Sequence, residues 1–164
     1  MQGTIIQVSA SSGGVPKYAV GSALATVQGL EGDRQNHPQI HGGPFQALLL
    51  VSAENLDFLR DNHWPLFPGA LGENLTIRGL DFKQIRIGQR FHAGDAILKI
   101  TKIRQPCYQL DIYGKGIQRV LYDASIYQGE VTSALYGFSG FYASVEREGF
   151  IRTNDTIELL DQAV

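Results

Sequence analysis

Cysteine is nearly absent from this sequence. The chain of 164 residues contains one, Cys107. A single cysteine cannot form a disulfide within the chain, and it cannot provide the paired thiolates of a CxxC zinc site. We therefore expect a protein of a reducing compartment and predict a cytoplasmic location.

Long apolar runs and an excess of positive charge are also missing. No apolar run approaches the roughly 18 residues of a membrane helix, and the opening MQGTIIQVSA lacks the basic and apolar regions of a signal peptide. The formal net charge is −2 and only 18% of the residues are charged. Such a chain has no strong basic field for a phosphate backbone, so we expect neither nucleic acid nor membrane as a partner.

Several motifs that bind nucleotides or metals are absent as well. The sequence has no GxxxxGK[ST] segment and no GxGxxG segment between a strand and a helix, which argues against a P-loop and a Rossmann fold. His37 and His41 have the spacing of two ligands on one helix face. Pro38 lies between them and disfavours a helix, so support for zinc at this pair is weak.

Glycine is abundant, with 19 residues, against a usual share of about 7%. Short β-branched or apolar segments alternate with glycine-containing turns, a pattern typical of short strands. One helix is predicted after Ser52, which can cap it, and a long loop is predicted over residues 20–44. The predicted strands are Thr4–Val8, 45–52, Asn74–Ile77, Gln84–Ile87, Ala96–Ile103, 141–148 and 155–160. Because no repeated βαβ pattern appears, we predict a mostly-β barrel with one or a few short helices, as a single domain over residues 1–164.

The position of Cys107 suggests chemistry, although a lone cysteine is commonly a small buried hydrophobic residue. It follows the end of a predicted strand in the segment RQPC, where a proline breaks the strand. Pro106 suits the first position of a helical turn, and Arg104 adds positive charge; both would favour a thiolate. We expect the head group of Arg104 to be accessible.

Three glycine-containing segments carry polar groups: GLEGD at 29–33, HGGP at 41–44 and GEN at 72–74. Adjacent glycines allow close approach of the backbone to a ligand and can form a nest of N–H donors for an anion. Taken alone, such a glycine-containing turn with a charged residue is more often structural than catalytic. The segment GFSGFY at 137–142 fits either the entry into a core strand or an exposed aromatic contact.

Taken in order, the segments GGVPK, GLEGD, HGGP, GENL and RQPC resemble the MOSC family, which is named for the C-terminal domain of molybdenum-cofactor sulfurase. The resemblance extends over residues 3–160 and implies a mostly-β barrel. It also implies that Cys107 is catalytic and binds molybdenum of the pterin cofactor, molybdopterin, or carries sulfur. The cofactor-binding residues implied by the same match are Asp33, His41, Gly42, Gly43, Glu73, Asn74 and Arg104.

The resemblance further implies a detoxifying oxidoreductase that reduces N-hydroxylated bases, which are small-molecule substrates. No flavin or iron–sulfur signature is visible, so the electrons would come from a separate reductase. Two other functions stay open at this point. One is a sulfur carrier that holds a persulfide on Cys107, and the other is a non-catalytic module that binds the molybdenum cofactor.

Overall fold

The computed structural model describes residues 1–34 and 42–160. Its strands are β1 (Gln2–Ala10), β2 (Tyr18–Ala19), β3 (Ser22–Thr26), β4 (Gly29–Leu30), β5 (Leu48–Ser52), β6 (Leu75–Arg78), β7 (Arg90–Ala93), β8 (Ala96–Ile103), β9 (Phe141–Arg147), β10 (Gly149–Arg152) and β11 (Thr156–Leu159). The α-helices are α1 (Ala53–Asp61), α2 (Gln118–Leu121) and α3 (Ala124–Tyr127). Short 3₁₀ turns cover Pro44–Gln46, Phe82–Gln84 and Tyr108–Tyr113.

Seven strands form a closed barrel. Their order is β11-β7-β8-β9-β5-β6-β1, and antiparallel pairing of β1 with β11, in the register Gly3 to Ile157, closes the sheet. Closure removes the free strand edges that an open sheet would expose. β2 pairs with the end of β1, and a second sheet has the order β10-β3-β4. The prediction of a mostly-β barrel with few short helices is confirmed.

One βαβ unit interrupts this antiparallel pattern. β5 and β6 run parallel, in the register Leu50 to Leu75, and α1 connects them. The predicted cap of α1 is confirmed, because the Ser52 hydroxyl accepts a hydrogen bond from the Asn55 N–H at 3.3 Å. The helix ends at Asp61, before the following prolines, and His63 then has a φ of 70°.

Two local predictions are wrong. Gln84–Ile87 is not a strand, because Phe82–Gln84 form a 3₁₀ turn in which the Asp81 carboxylate accepts the Lys83 N–H at 3.0 Å. Part of the expected loop over 20–44 is the pair β3 and β4. β3 pairs with β10, which is distant in the sequence, so the local sequence does not predict this strand.

The core has two clusters. The first takes a buried residue from each barrel strand and therefore fills the barrel interior: Ile5, Leu50, Leu75, Phe91, Leu98, Phe141 and Ile157. The second cluster lies outside the barrel wall and includes Leu49, Leu56, Leu59, Leu71, Leu110 and Tyr142. Leu49 and Leu50 of β5 belong to different clusters, so this strand is buried on both faces.

No helix in the described part of the chain is long and apolar enough to cross a membrane.

Candidate functional site

A cleft lies beside the second core cluster and has a cavity volume of about 70 Å³. This partly open space holds several water-sized groups, so a larger ligand would extend outward from it. The structure brings Cys107, Asn74 and Arg104 together in its wall. The lining residues are Gly14, Val15, Lys17, Arg34, Leu49, Leu71, Gly72, Asn74, Arg104, Cys107, Gln109, Leu110 and Tyr142.

The thiol of Cys107 is free and half-buried. Cys107 is the N-cap of the 3₁₀ turn Tyr108–Tyr113, and its side chain makes no capping hydrogen bond. Its carbonyl accepts the N–H of Leu110 at 3.2 Å and the side-chain amide of Gln118 at 3.1 Å, which fixes the backbone. Pro106 precedes the cap, so the expectation that it occupies the first helical position is wrong.

Arg104 is buried, with 4% of its surface exposed, so the expectation of an accessible head group is wrong. The Arg104 backbone N–H donates to the Gly140 carbonyl at 2.9 Å, and the Arg104 carbonyl accepts from the Ser139 hydroxyl. One guanidinium nitrogen, Nη2, donates to the Leu71 carbonyl at 3.0 Å. The other two, Nε and Nη1, are buried and have no hydrogen-bond partner within the described structure. The Arg104 side chain is buried because neighbouring segments of the chain cover it. Its position at the end of a strand does not reveal this.

Glu73 is fully buried and does not line the cleft. Its carboxylate accepts the N–H groups of Gly69 at 2.7 Å and Leu71 at 3.1 Å, and the Thr76 hydroxyl at 3.0 Å. Burial raises the pKa of Glu73, and these hydrogen bonds oppose the rise. Glu73 therefore acts on the site indirectly, because it holds the 69–72 loop that contributes Leu71 and Gly72 to the cleft.

Asn74 links the cleft to two other segments. Its side-chain oxygen accepts the Leu49 N–H at 3.1 Å, and its side-chain amide donates to Asp33 at 2.8 Å. The same carboxylate oxygen of Asp33 accepts from Lys17 in a buried ion pair, and its other oxygen accepts the Ser11 N–H at 2.9 Å. Asp33 therefore does not line the cleft itself, but its hydrogen bonds orient Asn74 and Lys17, which do.

The remaining predicted residues are those of the HGGP segment. Gly43 has a φ of 92° and caps the 3₁₀ turn Pro44–Gln46. Neither Gly42 nor Gly43 is among the described residues that line the cleft. His41, like His37, lies outside the described residues.

Sequence reasoning missed Tyr142, Lys17 and Arg34 as site residues. Tyr142 follows Phe141, which enters the barrel interior, and strand alternation therefore directs Tyr142 to the cleft side. Burial raises the pKa of Tyr142, the nearby charge of Arg104 opposes the rise, and Cys107 adds to it. The alternation in FYASV is a usable signal, and Lys17 ends the GGVPK segment, whereas nothing local marks Arg34.

The cleft combines a thiol with an apolar wall and three cationic side chains, Lys17, Arg34 and Arg104. Asp33 pairs with Lys17, so the excess charge at the site is positive. Within residues 1–34 and 42–160, no three His, Cys, Asp or Glu side chains are grouped to hold a metal ion. The arrangement can therefore offer one soft ligand to a metal and attract an anionic group.

Comparisons with known proteins point to one family. The model of the MOSC domain matches residues 37–158. YflK of Bacillus subtilis (strain 168) is 30% identical over 151 residues, which are 91% of this chain and 64% of YflK. YiiM of Escherichia coli (strain K12) is 36% identical over 97 residues, which are 57% of this chain and 43% of YiiM. The chain thus spans less than two thirds of the length of either relative.

Solved structures share the fold. The crystal structure of YiiM from Escherichia coli has a TM-score of 0.66 at 25% identity, covering 99% of this chain and 71% of that chain. YiiM from Geobacillus stearothermophilus has a TM-score of 0.70 at 24% identity, covering 99% of this chain and 77% of that chain.

Proposed function

Because the chain belongs to the MOSC domain family, which is associated with the molybdenum cofactor, we propose that it uses Cys107 as its ligand to the molybdenum of that cofactor. The observation that carries this proposal is the free, half-buried thiol of Cys107 in a cleft that Arg104 and Asn74 also line. A thiolate is a soft ligand and suits a sulfur-coordinated metal centre.

The residues present fit the cofactor at its metal end. Cys107 supplies the thiolate, the unpaired donors of Arg104 and the positive side of the cleft suit an anionic group, and Asn74 adds a polar wall. The cleft volume of about 70 Å³ accommodates only part of a pterin cofactor, so the remainder would extend from the cleft. When bound, the cofactor supplies a metal centre that accepts and donates electrons.

The chain's own residues would prepare the cleft for reduction of an N-hydroxylated base. Val15, Leu49 and Leu71 would give the bound base apolar contacts within the cleft. Tyr142 retains its proton at neutral pH, because burial raises its pKa, and can donate it within the cleft. In the overall reaction the N–O bond is cleaved, two electrons and two protons are consumed, and water leaves. The electrons would come from a separate reductase protein, and the substrate would be a small molecule.

Metal analysis tests the proposal. Wild-type protein and Cys107→Ser would be purified from cells that make the cofactor, and molybdenum per chain, melting temperature and N-hydroxylated-base reduction would be measured on each preparation. We expect molybdenum in the wild type and its loss in Cys107→Ser at a similar melting temperature, because the serine oxygen is a harder ligand of similar size. Ser22→Ala, an exposed change on β3, should retain the metal.

Two results would contradict the proposed chemistry. A metal-free wild type with a persulfide on Cys107, detected by cyanolysis, would indicate a sulfur carrier. Bound molybdenum without turnover, measured with a chemical electron donor, would indicate a cofactor-binding module.

A further inference from the structure

The guanidinium of Arg104 is a buried cation whose hydrogen bonding is incomplete. Nη2 donates to the Leu71 carbonyl at 3.0 Å, while Nε and Nη1 have no hydrogen-bond partner in the described structure. No carboxylate within the described residues forms an ion pair with it. A buried, unpaired charge is costly. Its retention in the wall of a cleft therefore points to a ligand that compensates it.

The other polar groups near Arg104 do not provide this compensation. Asp33 is engaged with Lys17 and Asn74, and Glu73 with the 69–72 loop and Thr76. Tyr142 interacts with Arg104, but a phenol that keeps its proton carries no negative charge. The positive charge of Arg104 is thus left to act on whatever enters the cleft.

We infer that Arg104 creates an oxyanion subsite beside Cys107, so that the thiol meets anionic ligands and reactants in preference to neutral ones. The inference rests on the proposed function for the position of the ligand at Cys107, but it requires no metal. Nε and Nη1 are covered, so a ligand oxygen bonds them directly only after the covering groups or the Arg104 side chain move. The electrostatic attraction operates without that shift, because the buried wall has a low dielectric constant.

The ligand class follows from the rest of the cleft. Leu49, Leu71 and Leu110 form an apolar surface within the same cavity as Arg104. A phosphate, phosphate ester or similar oxyanion would place its charge at Arg104, and an ester could also place an apolar body on the leucines. Comparing the binding of inorganic phosphate with that of phenyl phosphate therefore distinguishes a free oxyanion from the oxyanion group of a larger ligand.

The test compares two alkylating reagents of similar size on metal-free protein. Iodoacetate is an anion and iodoacetamide is neutral, and both react with the only thiol of the chain, Cys107. We expect the ratio of the iodoacetate rate to the iodoacetamide rate to exceed that of free cysteine by about fivefold or more, because the anion is attracted by Arg104. Inorganic phosphate should slow the reaction with iodoacetate.

Arg104→Met assigns the effect, because it removes the charge and keeps an unbranched apolar chain. The rate ratio should fall to that of free cysteine in Arg104→Met and stay high in Arg90→Met, which changes an exposed arginine on β7 that pairs with Glu146. A wild-type ratio equal to that of free cysteine would overturn the inference. A high ratio that persists in Arg104→Met would also overturn it, and would assign the attraction to Lys17 or Arg34.

Two further measurements keep the outcome decisive. If Arg104→Met does not fold, the test is whether inorganic phosphate slows alkylation of Cys107 in the wild-type protein. Absence of this protection overturns the inference. If the thiol reacts with neither reagent, phosphate binding is tested by the ³¹P signal of inorganic phosphate. Broadening of this signal by wild-type protein supports the inference, and no broadening overturns it. A wild-type protein that binds molybdenum but shows no preference for iodoacetate over iodoacetamide would contradict only the oxyanion subsite. The proposed function would be unaffected.

Discussion

At the scale of single residues, the cleft depends on a close backbone contact at Gly69. Its φ is 96°, and a Cβ atom there would lie 2.0 Å from the Lys17 carbonyl oxygen. The Lys17 N–H donates to the Gly69 carbonyl at 2.9 Å, and the Gly69 N–H donates to Glu73. Glycine alone permits both the backbone conformation and this approach. The contact holds the Lys17 side of the cleft against the 69–72 loop.

We expect Gly69→Ala to lower the free energy of unfolding by about 2–5 kcal/mol, the sum of left-handed backbone strain and steric overlap. Gly88→Ala is the matched control, because Gly88 has a φ of 92° and a Cβ atom added there would have no neighbouring atom within 4 Å. The control should lose only about 1–2 kcal/mol. Urea unfolding measures both changes. Equal losses in the two variants would show that the contact with Lys17 is unimportant.

At the scale of elements, helix α1 determines where Asn74 lies. Leu56 and Leu59 bury one face of the helix in the second core cluster. The helix carries the chain from β5 to the parallel strand β6, and Asn74 immediately precedes β6. Asn74 then exchanges hydrogen bonds with Leu49 of β5 through both its backbone and its side chain. The crossover therefore brings the GEN segment into the cleft.

Removal of the α1 cap should weaken the fold without changing the cleft. Ser52→Ala removes the oxygen that accepts the Asn55 N–H, and we expect a loss of about 1 kcal/mol in unfolding free energy. Phosphate protection of Cys107 should be unchanged, since the bonds between Asn74 and Leu49 remain. Ser22→Ala, at an exposed position on β3, should change the unfolding free energy by less than about 0.5 kcal/mol. A similar loss in both variants would contradict the capping role.

At the scale of the whole molecule, burial of a carboxyl group makes stability depend on pH. The raised pKa of Glu73 means that the folded protein holds this proton more tightly than the unfolded chain does. The resulting stability is fully present below the unfolded pKa, about 4.3, and is lost as the pH rises through the folded pKa. Its total size is about 1.4 kcal/mol for each unit by which the pKa is raised.

Glu73→Gln tests this sign. The unfolding free energy of wild type minus that of Glu73→Gln should fall as the pH rises from about 4. Glu130→Gln is the opposing control, because hydrogen bonds from Thr132 lower the pKa of Glu130, and its difference should grow with pH. Urea unfolding at several pH values measures both differences. A difference for Glu73 that grows with pH would mean that its hydrogen bonds outweigh burial.

Much of the fold and part of the site were predictable from local patterns. The buried strand in LLLVS, the serine cap of α1 and the strand that ends before Cys107 depend on residues a few positions apart. The ordered motifs also predicted the family and three residues of the cleft, Asn74, Arg104 and Cys107. Their roles toward a cofactor stay predictions.

The cap of α1, the buried strand β5 and the strand end before Cys107 follow from neighbouring residues, and the sequence alone was enough to predict them. Tertiary structure alone decided that β3 pairs with β10. It also decided that Arg104 is buried with two unpaired donors, and that Gly42 and Gly43 are not among the cleft-lining residues. The physical reason is that burial, strand pairing and charge compensation depend on groups distant in the chain, whose approach is set only when the barrel closes.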